Sequence, residues 1–308
     1  MIECKNVKLN IYNIDILNDI SLSINDNSVT CILGNKNSGK SSLLKLLVGR
    51  HKHYYGEILY NGKDINDVKG MDIDIIHDTR ENDPYISVIE YLQFYGAIYK
   101  KHNEEELNSY IDNMLRTFSL MSYKYTSIDL LDNESYKLVE LIRVLINDPK
   151  VILFDNLFSS DNIDFNNKLF DFIKTLIGKK TLVFAARSLN YIESIVDYIG
   201  ILDAGTLVIY DKKENVYKKA ELSNRIEIEL IGGMAEAIEV LKANDNITNL
   251  VYDDNMISFS MVSSIAYTVK RNEVESDILS KLISKGIKVY SFKKQRVRFE
   301  QLFSRIKG

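Results

Sequence analysis

The chain has 308 residues, with 39 Lys and Arg against 43 Asp and Glu, two Cys, no Trp and two Pro. That length holds about two domains of ~100–200 residues each, and 45% hydrophobic with 27% charged residues is the balance of a globular protein with its own core. A net charge of −4 gives no electrostatic case for nucleic acid as partner, two cysteines are too few for a disulfide framework or thiolate metal site, and no apolar run approaches the ~18–20 residues of a membrane-spanning helix.

The first ten residues, MIECKNVKLN, lack the apolar core of a signal peptide and read as a strand. Ile20, Leu22 and Ile24 alternate with Ser21 and Ser23, Asn25-Asp26-Asn27 supplies a turn, and Val29 to Leu33 forms an apolar strand. A helix is predicted from about Ser41 to Val48, then a hairpin from Gly56 to Ile65 turning at Asn61-Gly62. From about Ser87 to Ile146 the pattern is mainly helical, with Val88, Tyr91, Leu92 and Tyr95 on one face. Val151 to Phe154, Thr181 to Ala185 and Ile199 to Leu202 read as strands, and a helix between the first two gives the alternation of a parallel sheet. Beyond residue 220 the order is strand (Ile226 to Leu230), helix (Met234 to Ala243), hairpin (Thr248 to Met261), helix (Glu273 to Ser284), strand (Ile287 to Phe292). That β-α-β-β-α-β order is the split arrangement of ferredoxin-like modules.

Gly34-Asn35-Lys36-Asn37-Ser38-Gly39-Lys40-Ser41 fits G-x-x-x-x-G-K-[ST], and it follows a predicted strand and opens a predicted helix. Glycines let such a loop wrap closely, so that backbone N–H groups converge on phosphate oxygens, and the helix N-terminus adds partial positive charge. Lys40 would reach the β- and γ-phosphates, and the Ser41 hydroxyl would ligate Mg²⁺. The loop alone does not choose between ATP and GTP. Asp67-Val68-Lys69-Gly70 supplies a D-x-x-G, yet the chain has no N-K-x-D guanine reader.

Ser87-Val88-Ile89-Glu90-Tyr91-Leu92 is similar to a T-V-x-E-N-L stretch, and Leu141 to Lys150 to L-A-R-A-L-x-x-D-P-K, leading into the strand Val151-Ile152-Leu153-Phe154-Asp155. With the phosphate loop, these segments resemble the ATP-binding subunits of ABC transporters over essentially the whole chain. Gly286 to Phe292, followed by Phe299-Glu300-Gln301-Leu302-Phe303, is similar to the tail of the ABC-2-type exporter branch. The resemblance implies an α/β phosphate-loop nucleotide-binding core with antiparallel β and helical subdomains over 1–218, the helical part at about 85–146. A small ferredoxin-like α+β module follows over 219–308, with the boundary in the polar stretch around Lys212 to Leu222. It implies Tyr12 stacking on adenine, Gly34 to Ser42 (with Ser42 closing the run) holding ATP, and Ser41, Asp78 and Asp155 holding Mg²⁺. The implied partners are integral membrane transporter subunits, docked near Asp78 to Tyr99, and a second nucleotide-binding subunit, identical or different. The implied location is the cytoplasmic side of the cell membrane. The basic cluster Lys293, Lys294, Arg296 and Arg298 could meet lipid headgroups or a partner, and reads first as a solvated face.

The chain also departs from the family pattern. Counting back from the Arg143 segment, the signature L-S-G-G-Q falls on Leu131-Asp132-Asn133-Glu134-Ser135, where only the leucine remains. In the family each ATP is clamped between one subunit's phosphate loop and the other's signature. Here side chains replace the glycines that admit phosphate, and Asp132 and Glu134 put negative charge in its place. The general-base Glu falls on Asn156, which orients a water but takes no proton, and losing such a base costs ~10²–10⁴ in rate. The switch His falls on Arg187, a permanent cation that can hold phosphate but not shuttle a proton. The glutamine at the subdomain joint falls on Asp78. The expectation is a subunit that binds Mg·ATP, couples it to dimerisation and transport, and hydrolyses it weakly or not at all. The alternatives are a still-active ATPase using Asp161 or Asp164, and a non-transport regulatory or assembly subunit.

Overall fold

The computed structural model describes every residue except 69–71, 78–84, 100–102, 159–161, 220–224, 262–269 and 295–308, and the side chains at 219, 225, 270–272 and 294. It divides into two compact units, Met1–Lys213 and Glu214–Gly308.

A hairpin of β1 (Ile2–Ile11) and β2 (Ile14–Ile24) opens the first unit. Its turn residues Tyr12 and Asn13 both have positive φ, 49° and 63°, the mirror-image turn whose twist suits paired strands. Next, β3 (Val29–Leu33) runs into α1 (Lys40–Leu47). β4 (Tyr55–Tyr60) and β5 (Lys63–Asp64) then return to the hairpin, completing an antiparallel sheet in the order β2-β1-β4-β5. The turn at Asn61-Gly62 is as expected, with φ of 50° and 78°.

After β6 (Ile73–Ile76) come three helices, α2 (Val88–Tyr99), α3 (Glu104–Thr117) and α4 (Asn133–Asn147). The chain then makes β7 (Val151–Asp155), α5 (Ile163–Lys174), β8 (Thr181–Ala186), β9 (Tyr198–Asp203) and β10 (Thr206–Lys212). A six-stranded sheet results, ordered β10-β9-β3-β8-β7-β6, parallel from β9 to β6 with β10 antiparallel at its edge. Every residue of β3, β6 and β7 is buried, as a parallel sheet covered on both faces requires. Leu43, Leu44, Leu46 and Leu47 of α1 are fully buried. Since β3, β8 and β7 are neighbours in register, the loops leaving their carboxyl ends lie side by side, where open α/β sheets bind ligands.

The division between the units falls within α6 (Lys213–Lys219). Within this helix Val216 and Tyr217 are buried. The second unit contains β11 (Arg225–Leu230), α7 (Met234–Lys242), β12 (Ile247–Asp253), β13 (Met256–Met261), α8 (Lys270–Ser284) and β14 (Val289–Lys294). Its antiparallel order β12-β13-β11-β14 separates the strands of each β-α-β by one strand, the ferredoxin-like arrangement. Ile226, Ile228 and Leu230 of β11, with Ile257 and Phe259 of β13, pack under Leu241 of α7 and Ile278 and Leu282 of α8. Of the basic cluster, Lys293 is exposed as expected, while Arg296, Arg298 and the Lys294 side chain lie outside the described residues, as do Phe299 to Phe303. Among the described residues no helix is long and apolar enough to cross a membrane.

Candidate functional site

Gly34 to Gly39 link the buried end of β3 to the N-terminus of α1, as the sequence predicts. Two glycines are dictated by contacts. A Cβ on Gly34 would come within 2.3 Å of the Ser38 hydroxyl and 2.4 Å of the Leu202 carbonyl oxygen. Gly39 caps α1 in the left-handed region, φ 101°, with the Leu17 side chain 2.8 Å and the Ile16 carbonyl oxygen 2.9 Å from where a Cβ would lie. Gly39→Ala should therefore combine a backbone clash with backbone strain of about 1–3 kcal/mol. The expected outcome is a lower melting temperature and a smaller stabilisation by added Mg·ATP, read by thermal melts with and without nucleotide.

The Lys40 ammonium lies along this loop, donating to the carbonyl oxygens of Gly34 and Asn35 at 2.8 Å each and to the Ser38 hydroxyl at 3.2 Å. Burial pulls its pKa below the ordinary lysine range; the Asp155 carboxylate opposes that shift and the Arg187 guanidinium adds to it. The fold thus brings Lys40, Asp155 and Arg187 into one electrostatic environment. Asp155 ends β7 and is buried, while Ser41 is exposed in the first turn of α1. One hydroxyl and one carboxylate suit Mg²⁺, which keeps several waters and takes phosphate oxygens rather than an all-protein cage. Asp78 lies outside the described residues.

Asn156 follows Asp155 with φ 48°, and its N–H donates to the Ala185 carbonyl at 2.9 Å. It shares a cleft of about 290 Å³ with Arg187, walled by Phe158, Phe184, Asn190 and Tyr191. So Asn156 and Arg187, the positions that the resemblance assigns to the general base and the switch residue, line one space at the ends of β7 and β8. Asp164, offered as a substitute base, sits exposed in the first turn of α5 and is not among the residues lining this cleft; Asp161 lies outside the described residues. Tyr12 is 95% exposed at the hairpin tip, and the contact of Ile16 and Leu17 with Gly39 puts β2 of that hairpin against the phosphate loop. Lys36 and Asn37 form the exposed crest of the loop, Asn37 with φ 64°, and Ser42 lies half-buried one residue into α1 beyond Ser41.

At the N-terminus of α4, Asp132 is the capping residue. Its carboxylate accepts from the Ser135 N–H and the Ser135 hydroxyl, both at 2.8 Å. Burial raises the Asp132 pKa, but the hydrogen bonds from Ser135 win and hold it below the ordinary carboxylate value. Glu134 accepts from the Asn162 side-chain amide at 2.6 Å.

Sequence reasoning missed two features. Lys137, only 9% exposed, donates to the Asn156 carbonyl at 2.7 Å, fastening α4 to the turn after β7. A lysine on a helix reads as solvated, and no spacing marks this one. The second is a buried ionic network. Arg143 donates to both Asp74 oxygens at 3.0 and 3.1 Å, to Glu140 at 3.2 Å and to the Ile75 carbonyl at 2.7 Å. The Tyr91 hydroxyl donates to Glu140, and Tyr99 donates to Asp74 at 3.2 Å. The network ties α2 and α4 to β6. Its only sequence signal was a charged residue, Asp74, inside an apolar run. Cys4 and Cys31 are buried packing residues; burial pushes the Cys4 thiol up to about 12 and raises Cys31 as well.

Fold and loop together define a phosphate-loop nucleotide-binding domain. The ABC transporter family model matches residues 17–159, a span within the first unit that includes the phosphate loop and β7. Among similar proteins, the spermidine/putrescine import ATP-binding protein PotA of Clostridium novyi is 25% identical over 264 residues, covering 84% of this chain and 72% of its own. A putative export ATP-binding/permease protein of Rickettsia prowazekii, RP696, is 27% identical over 223 residues, covering 70% of this chain and 38% of its own. The fold is shared with a dimeric ATP-binding cassette, MJ0796, in a post-hydrolysis state bound to ADP and Pi, at TM-score 0.63 and 21% identity over 69% of this chain and 98% of that one.

Proposed function

We propose that this chain is the ATP-binding subunit of an ABC-type exporter that holds Mg·ATP and couples it to dimerisation and transport, with weak hydrolysis or none. Residues 1–218 serve as the nucleotide-binding domain and 219–308 as an accessory module. The observation that carries this reading is the contrast between a complete phosphate cradle around Lys40 and an amide, Asn156, where β7 ends beside Asp155. Tyr12, Gly34 to Ser42 and Asp155 hold the nucleotide and its Mg²⁺, with Asp78 assigned to the metal by resemblance. ATP held between two subunits stabilises the closed pair by mass action, which couples nucleotide to conformation without turnover. The subunit acts at the cytoplasmic face of the membrane, beside integral membrane partners.

A single-turnover assay tests this, with the chain in excess over labelled Mg·ATP. The native chain should retain ATP uncleaved. Lys40→Ala removes charge-assisted bonds worth about 1.5–3 kcal/mol each, so it should bind at least about 100-fold more weakly. Rapid cleavage by the native chain would sink the proposal. Import is a second reading, favoured by the PotA relative's reach over 84% of this chain. Cargo uptake against cargo release in inverted vesicles carrying the co-purified membrane partner separates the two directions.

A further inference from the structure

Resting on that reading, we infer that Lys137 of α4 is a positioning residue, which holds the turn after β7 and so sets where Asn156 stands beside the nucleotide. The Lys137 ammonium donates to the Asn156 carbonyl at 2.7 Å and to the Leu157 carbonyl at 3.4 Å. Glu134 shares its face of α4, three residues back, and takes hold of the same stretch of chain farther on. Its carboxylate accepts from the Asn162 side-chain amide at 2.6 Å, while the Asn162 side-chain oxygen accepts from the Phe165 N–H at 2.9 Å and so caps α5. One face of α4 thus grips the chain both at Asn156 and at the start of α5.

The turn requires such a hold. Asn156 has φ 48°, a left-handed conformation that persists in an L-residue where the surroundings over-determine it, and such positions gather at functional sites. The surroundings here are identifiable. β8 takes the Asn156 N–H on the Ala185 carbonyl at 2.9 Å. Leu157 is buried, and the Phe158 ring stacks on Tyr191 with centroids 5.4 Å apart and planes 14° from parallel. Those contacts join the turn to the side of the cleft that carries Arg187; Lys137 supplies the opposing hold, from α4. A lysine only 9% exposed is an expensive means of stabilising a fold, since its cation leaves water to get there. What it contributes is direction, because charge-assisted bonds fix their acceptors more firmly than neutral ones.

Hydrogen exchange of the full chain tests this, read at the Asn156 amide and, for reference, at Cys31 and Ile32 in the middle of the parallel sheet. Binding and single-turnover cleavage of labelled Mg·ATP are measured on the same samples. Lys137→Met keeps an unbranched stem and deletes the donors. It should speed exchange at Asn156 by about 10- to 100-fold, the worth of a charge-assisted bond, and leave β3 exchange and Mg·ATP affinity as in the native chain. Lys137→Arg keeps donors and should restore slow exchange. In the Asn156→Glu background Lys137→Met should lower cleavage by about 10- to 100-fold, as displacement of a catalytic group does, again at unchanged affinity, and Lys137→Arg should restore it. Lys137→Gln, one bond shorter, takes the place of Lys137→Met if that variant fails to fold. Unchanged exchange at Asn156 in a folded variant overturns this inference alone, as does an affinity that falls together with cleavage. A native chain that binds no Mg·ATP, or cleaves it as fast as Asn156→Glu does, overturns the underlying reading, while exchange at Asn156 still decides the role of Lys137.

Discussion

Asn156→Glu should raise single-turnover cleavage of Mg·ATP by about 10²–10⁴-fold, the usual worth of a positioned general base. The position is prepared for one. Its backbone is fixed at both ends, by the Asn156 N–H to Ala185 at 2.9 Å and by Lys137 on its carbonyl at 2.7 Å, and it lines the same cleft as Arg187. The backbone conformation carries a cost. With φ at 48°, a short amide is tolerated where longer L-residues lose up to about 1–2 kcal/mol. The variant should therefore turn over faster and melt lower. Asn156→Gly separates the two effects, since it relieves the backbone without adding a base and should leave cleavage unchanged. Unchanged cleavage by the glutamate variant would mean that the missing base is not what limits the site.

Arg143→Met should destabilise the protein by about 3–5 kcal/mol at neutral pH, because it strands two buried carboxylates. Asp74 and Glu140 are 6% and 4% exposed, and both are held by this one guanidinium. Burial raises the Glu140 pKa, while Arg143 lowers it. A raised native value means that the group's contribution is fully present below its unfolded pKa and is lost as pH rises through the native one. Without the arginine that native value climbs further, so the variant's deficit should grow from acid toward neutral pH. Urea denaturation at a series of pH values measures it. A deficit independent of pH would show that lost packing, rather than stranded charge, sets the cost.

The parallel sheet was legible where its strands are unbroken apolar runs, as in β3, β7, β8 and β9. It was not legible at β6, because Asp74 interrupts Ile73, Ile75 and Ile76, and a buried acid is intelligible only once Arg143, 69 residues away, is seen to meet it. β10 escaped notice for a different reason. It is an edge strand, and the turn that pairs it with β9 is Ala204-Gly205, with φ of 42° and 80°, where alanine is not a usual turn residue. The phosphate loop was legible in full, because its chemistry is local. The α4 turn was legible only as a departure; that Asp132 caps its own helix through Ser135 is a matter of side-chain geometry. Lys137 needed a tertiary contact to acquire meaning at all.

The walls of the phosphate loop come from far along the chain. Gly34 donates to the Ala186 carbonyl at 3.3 Å and packs against Leu202, while β3 pairs with β8 and β9 on its two sides. On a ribosome, then, the motif leaves the exit tunnel long before it has a shape. Pairings so distant in sequence form slowly; β3 lacks both neighbours until about residue Ala186 has emerged, and one of them until about Asp203. Nascent chains halted before β8 should not bind nucleotide, and ATP can assist the folding of this protein only as a late event, after most of the first unit has been made.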